Sequence, residues 1–126
     1  MGANYSDLVE RSPKSSQILL TFHSTAKWKA YFDASKQKNK LMIIDFTATR
    51  CVPCKYMKPV IREFATKYTD VEFIKLDVDE LLEVAQAFQV QAMPTFILIK
   101  KGKVVEKVLI NQSDARHKNL VIDKNL

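Results

Sequence analysis

The chain has 126 residues, of which 47% are apolar, so its length and composition predict one domain with a substantial core. No apolar run approaches the roughly 20 residues that cross a bilayer, and we expect no transmembrane segment. The net charge of +6 comes from basic residues spread along the chain, without the aromatic-interleaved arginines of a nucleic-acid groove. We therefore expect no nucleic-acid partner and assign the lysines to a solvated surface. The alternative is a general bias toward acidic partners or anionic surfaces.

The N-terminal residues are rich in serine and poor in large apolar groups, which predicts a flexible extension over residues 1–16 before a domain at 17–126. They lack the apolar core of a secretory signal, so we expect a cytoplasmic protein. Met1–Ser6 fits the N-myristoylation pattern with Gly2 as acceptor. One acyl chain supports only weak, reversible membrane binding. The alternative is an ordinary unmodified tail.

The first half of the domain alternates strand and helix. A strand is predicted over Gln17–Phe22, and Ser24 then caps a helix with three aromatic residues on one side. Leu41–Phe46 is almost wholly apolar, as in a central strand covered on both faces. Cys51–Tyr68 repeats apolar groups at helical spacing, so a long helix is predicted there.

The second half continues this alternation and ends in a hairpin. Its predicted elements are a strand at Val71–Val78, a helix at Leu81–Phe88, a central strand at Thr95–Lys100, a turn at Lys101-Gly102, a strand at Val104–Ile110 and a last helix from Ser113 to Leu126. The order β-α-β-α-β-α-β-β-α predicts an α/β fold. In it, a central mixed sheet of about five strands has helices on both faces.

Cys51 and Cys54 are the only cysteines, and their spacing allows a small disulfide ring to close and reopen. Cys51 begins a predicted helix, where the helix dipole lowers a thiol pKa below the free value of about 8.5. The alternative is an inert or zinc-binding pair. Zinc needs about four ligands, and the only histidines, His23 and His117, are not at ligand spacing. We therefore predict dithiol–disulfide exchange and no metal site.

Asp45 is a carboxylate inside an apolar strand, close in sequence to the dithiol. Burial raises a carboxyl pKa, which would allow Asp45 to accept and return a proton near neutral pH. The alternative is a residue at a strand end that faces solvent.

Several motifs recur at wide spacing along the chain: Ile44-Asp45-Phe46, Cys51-Val52-Pro53-Cys54-Lys55, Pro59, Lys75-Leu76-Asp77-Val78-Asp79, Met93-Pro94-Thr95-Phe96 and Lys101-Gly102. Together they resemble the thioredoxin family, and the segment at 69–73 is similar to plant h-type members with an N-terminal extension. The resemblance implies a thioredoxin fold that reduces disulfides of target proteins through a Cys51–Cys54 disulfide, without a bound cofactor. It also implies recharging by an NADPH-dependent thioredoxin reductase or a glutathione-linked system. We expect a monomer.

The resemblance also assigns roles to individual residues. Cys51 would attack the target disulfide, Cys54 would resolve the mixed disulfide, and Asp45 would transfer a proton to or from Cys54. Lys75, on the neighbouring strand, would lower the pKa of Asp45. Pro53 would restrain the dithiol ring and tune its potential.

The segment Met93-Pro94-Thr95 is the expected substrate-binding site. By resemblance, Pro94 is cis and faces the two cysteines. This arrangement would leave the Met93 backbone free to pair with an extended substrate segment.

The chain departs from the family pattern near the dithiol. Arg50 stands where tryptophan is usual, and Val52 stands where glycine or proline is usual. The Arg50 cation would favour the Cys51 thiolate, make the disulfide more oxidising and weaken docking on a reductase. Ile110 replaces a glycine and would narrow the docking groove. Sequence drift is one alternative explanation, and a poorly recycled binding module or scaffold is the alternative function.

Overall fold

The computed structural model describes residues 10–11 and 19–110. Its elements are β1 (Glu10–Arg11), β2 (Leu19–Thr21), α1 (Thr25–Ser35), β3 (Leu41–Thr47), α2 (Val52–Lys67), β4 (Glu72–Asp77), α3 (Leu82–Ala87), β5 (Thr95–Lys100) and β6 (Lys103–Leu109). Every helix and strand predicted within residues 19–110 is present. Gly2, most of the predicted extension and the predicted last helix lie outside the described residues.

One sheet holds all the described strands, in the order β1-β2-β4-β3-β5-β6. β2, β4 and β3 run parallel, while β5 and β6 are antiparallel to their neighbours, which confirms the predicted mixed sheet. β1 was not predicted, because it lies within the stretch expected to be flexible. It pairs antiparallel with β2, with Glu10 opposite Thr21.

β3 alternates between two buried clusters because successive side chains of a strand point to opposite faces of the sheet. Met42, Ile44 and Phe46 pack on the face covered by α1 and α3. Leu41 and Ile43 pack on the other face, against α2. By the same alternation Asp45 lies on the α2 face, the face on which the dithiol helix packs.

The β5–β6 hairpin closes through the predicted turn at Lys101 and Gly102, whose φ angles are 52° and 80°. Two successive positive φ angles are typical of a type I′ turn, which matches the twist of the strands that it joins. A Cβ atom at Gly102 would lie only 2.7 Å from Cγ of Lys36. The turn therefore requires glycine both for its backbone conformation and for space. No helix among the described residues has the length and apolar character needed to cross a membrane.

Candidate active site

The sheet brings three loop segments to one edge. Thr47 ends β3 opposite Asp77 at the end of β4, because these strands are parallel and in register. β5 runs the other way and begins with Thr95, one residue after Pro94 and opposite Phe46. The dithiol loop and the Met93-Pro94 segment therefore lie at the same edge. The Met93-Pro94 peptide bond is cis, which confirms the prediction.

Cys51 and Cys54 are joined by a disulfide with an S–S distance of 2.07 Å. Cys51 is the N-cap of α2, and its Sγ accepts a hydrogen bond from the backbone N–H of Cys54 at 3.1 Å. The exposed fraction is 9% for Cys51 and 5% for Cys54, so Cys54 is the more buried, as predicted. A sulfur at a helix N-cap lies at the positive end of the helix dipole, which favours its thiolate when the disulfide is open.

Asp45 lies beside a small cavity that connects it to the dithiol. It pairs with Lys75 across the β3–β4 ladder, and both side chains are on the α2 face. The cavity has a volume of about 70 Å³, and its lining includes Asp45, Cys54, Lys58 and Lys75. Such a polar cavity has room for water. A proton could therefore pass between the Asp45 carboxyl group and the Cys54 sulfur without direct contact.

The surroundings of Asp45 set its titration near neutrality. Burial raises the pKa of Asp45 from 3.8 to about 7, while the ammonium groups of Lys75 and Lys58 lower it. The cost of desolvating the carboxylate therefore exceeds the attraction of both lysines. A group with this pKa is about half ionised at neutral pH and can both accept and donate a proton.

A larger cavity of about 170 Å³ opens on the β4 side of the dithiol. It is lined by Thr47, Ala48, Thr49, Cys51, Cys54, Lys55, Lys58, Lys75 and Asp77. Lys55 and Lys58 are exposed, as a solvated surface implies, and α2 and β4 bring them together with Lys75 beside the dithiol. Lys55 and Lys58 follow Cys51 and Cys54 four residues later, and this spacing places them on the same helix face. This spacing predicts a shared helix face for Lys55 and Lys58, and only the fold adds Lys75 from β4.

The predicted substrate segment is only partly accessible. Pro94 and Thr95 are fully buried, and the Thr95 hydroxyl donates a hydrogen bond to the Ala92 carbonyl. The Thr95 side chain is thus buried and holds the preceding loop, and its role in substrate binding stays a prediction. Within Met93-Pro94-Thr95, only Met93 retains solvent-accessible surface.

The prediction that the Ile110 side chain narrows a docking groove was wrong, because this side chain does not face solvent. Its side chain is buried in the cluster beneath α2. Its backbone N–H donates to the Pro94 carbonyl at 3.2 Å. The residue that replaces the usual glycine thus contributes to the core and braces the segment before β5.

Arg50 and Val52, the two residues of the dithiol loop that depart from the family pattern, face solvent. Arg50 is exposed, Val52 is 49% exposed, and Pro53 is partly buried in the first turn of α2. Arg50 and Val52 flank Cys51, the less buried of the two cysteines. Among residues 10–11 and 19–110, no group of three or more histidine, cysteine, aspartate and glutamate side chains could hold a metal ion.

Comparisons with known proteins agree with this geometry. A family model described as Thioredoxin matches residues 4–122. The chain is 45% identical to Thioredoxin H2 of Arabidopsis thaliana over 102 residues, which cover 81% of this chain and 77% of the relative. It is 46% identical to Thioredoxin H2-1 of Oryza sativa subsp. japonica, with 81% and 74% covered. The crystal structure of thioredoxin NaTrxh from Nicotiana alata is similar, with a TM-score of 0.72, 50% identity and 86% of each chain covered.

Proposed function

The chain belongs to the thioredoxin family and is a thioredoxin-type protein-disulfide reductase, and on this premise we propose how its residues divide the reaction. In the reduced protein, the Cys51 thiolate attacks one sulfur of a target disulfide. The target S–S bond breaks, a mixed disulfide forms with Cys51, and the second target sulfur leaves as a thiolate that takes up a proton.

The second step is resolution by Cys54. The Asp45 carboxylate takes the proton of the Cys54 thiol through the cavity that they share, and the Cys54 sulfur attacks Cys51 Sγ. The mixed disulfide breaks, the Cys51–Cys54 disulfide forms, and the attacked target sulfur leaves as a thiolate that takes up a proton in turn. Two electrons and two protons pass to the target in total. The observation that carries this proposal is the shared cavity that joins Asp45, of pKa about 7, to Cys54.

The remaining site residues are proposed to tune the reactivity of Cys51 or to bind the target protein. The Arg50 cation stabilises the Cys51 thiolate, and Val52 and Pro53 shape the loop that holds it. The partly exposed Met93 offers its backbone to an extended target segment. The reductant is an NADPH-dependent thioredoxin reductase or a glutathione-linked system, and the protein acts as a monomer. The alternative of a poorly recycled binding module is not favoured by the similarity to named thioredoxins.

An insulin-reduction assay tests the proposed roles. With dithiothreitol as reductant, the parent protein is expected to accelerate reduction, Cys51→Ser to lose this activity, and Asp33→Asn, an exposed change on α1, to retain it. Full activity of Cys51→Ser would contradict the nucleophile assignment. Repeating the assay with NADPH and a thioredoxin reductase tests the electron donor. Activity with dithiothreitol but none with the thioredoxin reductase would contradict recycling by that enzyme.

We also propose a cytoplasmic protein with weak peripheral membrane association through acylated Gly2. The support is the sequence Met1–Ser6. Expression with labelled myristate should label the parent chain and leave Gly2→Ala unlabelled. Equal labelling of both would contradict the acylation site. Because one acyl chain binds membranes weakly, we expect both soluble and membrane fractions to contain the protein.

A further inference from the structure

The first turns of α2 and the adjoining part of β4 present four basic side chains beside the dithiol. Lys55, Lys58 and Lys75 line the larger cavity with both cysteines, and Arg62 joins Lys58 and Lys75 around the smaller one. Lys55, Lys58 and Arg62 are spaced by three and four residues, so they form one stripe along the helix. Lys75 faces this stripe from β4. We refer to these four residues as the basic rim.

The positive charge of the basic rim is not cancelled locally. Within residues 19–110, none of its four members forms an ion pair with a carboxylate. The acidic groups that line the two cavities are Asp77 and Asp45. Asp77 already accepts hydrogen bonds from the Asp79 N–H and the Thr49 hydroxyl, and Asp45 is about half ionised near pH 7. The cavities therefore retain an excess of positive charge.

The basic rim lies within reach of a peptide docked at Cys51. Lys58 is seven residues along α2 from Cys51, which corresponds to about 10 Å along the helix axis. An extended peptide covers that distance in about three residues. A residue one to three positions from the attacked cysteine could therefore place its side chain against the basic rim.

We propose that the basic rim selects target disulfides that have aspartate or glutamate within about three residues of the attacked cysteine. A carboxylate there would replace the missing counter-charge, and the same cations would repel a lysine or arginine. The larger cavity, of about 170 Å³, has room for such a side chain. This inference rests on the proposed attack by Cys51. It adds a preference among protein disulfides to the reductase activity.

Single-turnover reduction of three matched peptides tests the preference. Each peptide holds one disulfide, and the residues that flank one cysteine are glutamate, glutamine or lysine. The protein is reduced with dithiothreitol, separated from it and mixed with each peptide at low and high salt. We expect rate constants in the order Glu, Gln, Lys, with about tenfold between the first and last at low salt. High salt should shrink this ratio because it screens exposed charges.

Variants locate the preference in the basic rim. Lys58→Gln combined with Arg62→Gln should remove most of the Glu-to-Lys rate ratio. Because Lys58 also lowers the pKa of Asp45, the readout is the ratio of two peptide rates for one variant, which a general change in dithiol chemistry leaves unaltered. The matched control is Lys100→Gln with Lys103→Gln, which removes the same charge at the far end of the sheet, about 20 Å away. This control should keep the ratio.

Two results would overturn the proposed target preference without contradicting the reductase activity. One is equal reduction of the three peptides by the parent protein. The other is an equal loss of the ratio in the far-end control, which would assign the preference to net charge. Failure to reduce any peptide, with two free thiols titrated in the protein, would instead contradict the proposed attack by Cys51, and the preference would fall with it.

Discussion

Asp45 links the stability of the protein to its chemistry. Its pKa is raised from 3.8 to about 7 in the fold, so between these pH values the folded protein holds a proton that the unfolded chain has released. The contribution of Asp45 to the free energy of unfolding therefore falls as the pH rises from about 4 to 7, and its full destabilising effect is present above pH 7. An apolar residue at this strand position would avoid this loss of stability. The presence of a buried carboxyl group is therefore consistent with a role in proton transfer.

Asp45→Asn is expected to stabilise the oxidised protein at high pH, because asparagine has a similar shape and stays neutral. The increase in the free energy of unfolding over the parent protein should approach an upper limit of about 4 kcal/mol at pH 8 and become small near pH 4. Urea unfolding at both pH values measures it, with the exposed Asp33→Asn as control. A gain that does not change with pH would contradict the raised pKa of Asp45.

Lys75 is expected to set the pH at which Asp45 becomes effective. In Lys75→Met the pKa of Asp45 should rise further above its ordinary value, because a cation that lowers it is lost. The midpoint of the pH–rate profile for resolution of a mixed disulfide should move to higher pH, and the rate at pH 7 should fall several-fold. Lys75→Arg keeps the charge and should restore the midpoint. An unchanged midpoint in Lys75→Met would contradict the claim that Lys75 lowers the pKa of Asp45.

The helices and strands illustrate what the sequence can and cannot predict. The apolar run of β3, the helical spacing in α2 and the Lys101-Gly102 turn each follow from local pattern, so their positions were predicted closely. The side-chain environment of Thr95 was not predicted, because a polar residue at a strand start can face either solvent or a neighbouring carbonyl. Only the packed fold shows that its hydroxyl bonds the Ala92 carbonyl.

Thr95→Val tests whether this residue is structural. Valine keeps the shape but leaves the Ala92 carbonyl without the hydroxyl donor, which should lower the free energy of unfolding by about 1–2 kcal/mol. Thr95→Ser retains the hydroxyl and serves as the matched control. Chemical denaturation gives the loss. An increased KM for a peptide disulfide in Thr95→Val, without loss of stability, would instead support substrate contact.

At the scale of the whole molecule, function depends on residues far apart in sequence that the sheet brings to one edge. The crossover from β3 through α2 to β4 places Asp45 and Lys75 side by side, and the antiparallel β5 brings the cis proline to the same edge. The dithiol, Asp45 and Pro94 could be predicted because they carry recognisable motifs. The basic rim could not be predicted as a unit, since its assembly depends on which face of α2 turns toward β4. Basic residues that are spread along the sequence therefore lie together beside the dithiol in the fold.

Trapping of the mixed disulfide most directly tests the central claim that Cys51 attacks and Cys54 resolves. The protein is reduced, mixed with a disulfide-containing target and quenched with acid, and the adduct is mapped by mass spectrometry. We predict that Cys54→Ser accumulates a covalent adduct through Cys51, because the resolving thiol is absent. Cys51→Ser should give no comparable adduct. Accumulation through Cys54 in Cys51→Ser, with none in Cys54→Ser, would contradict the account.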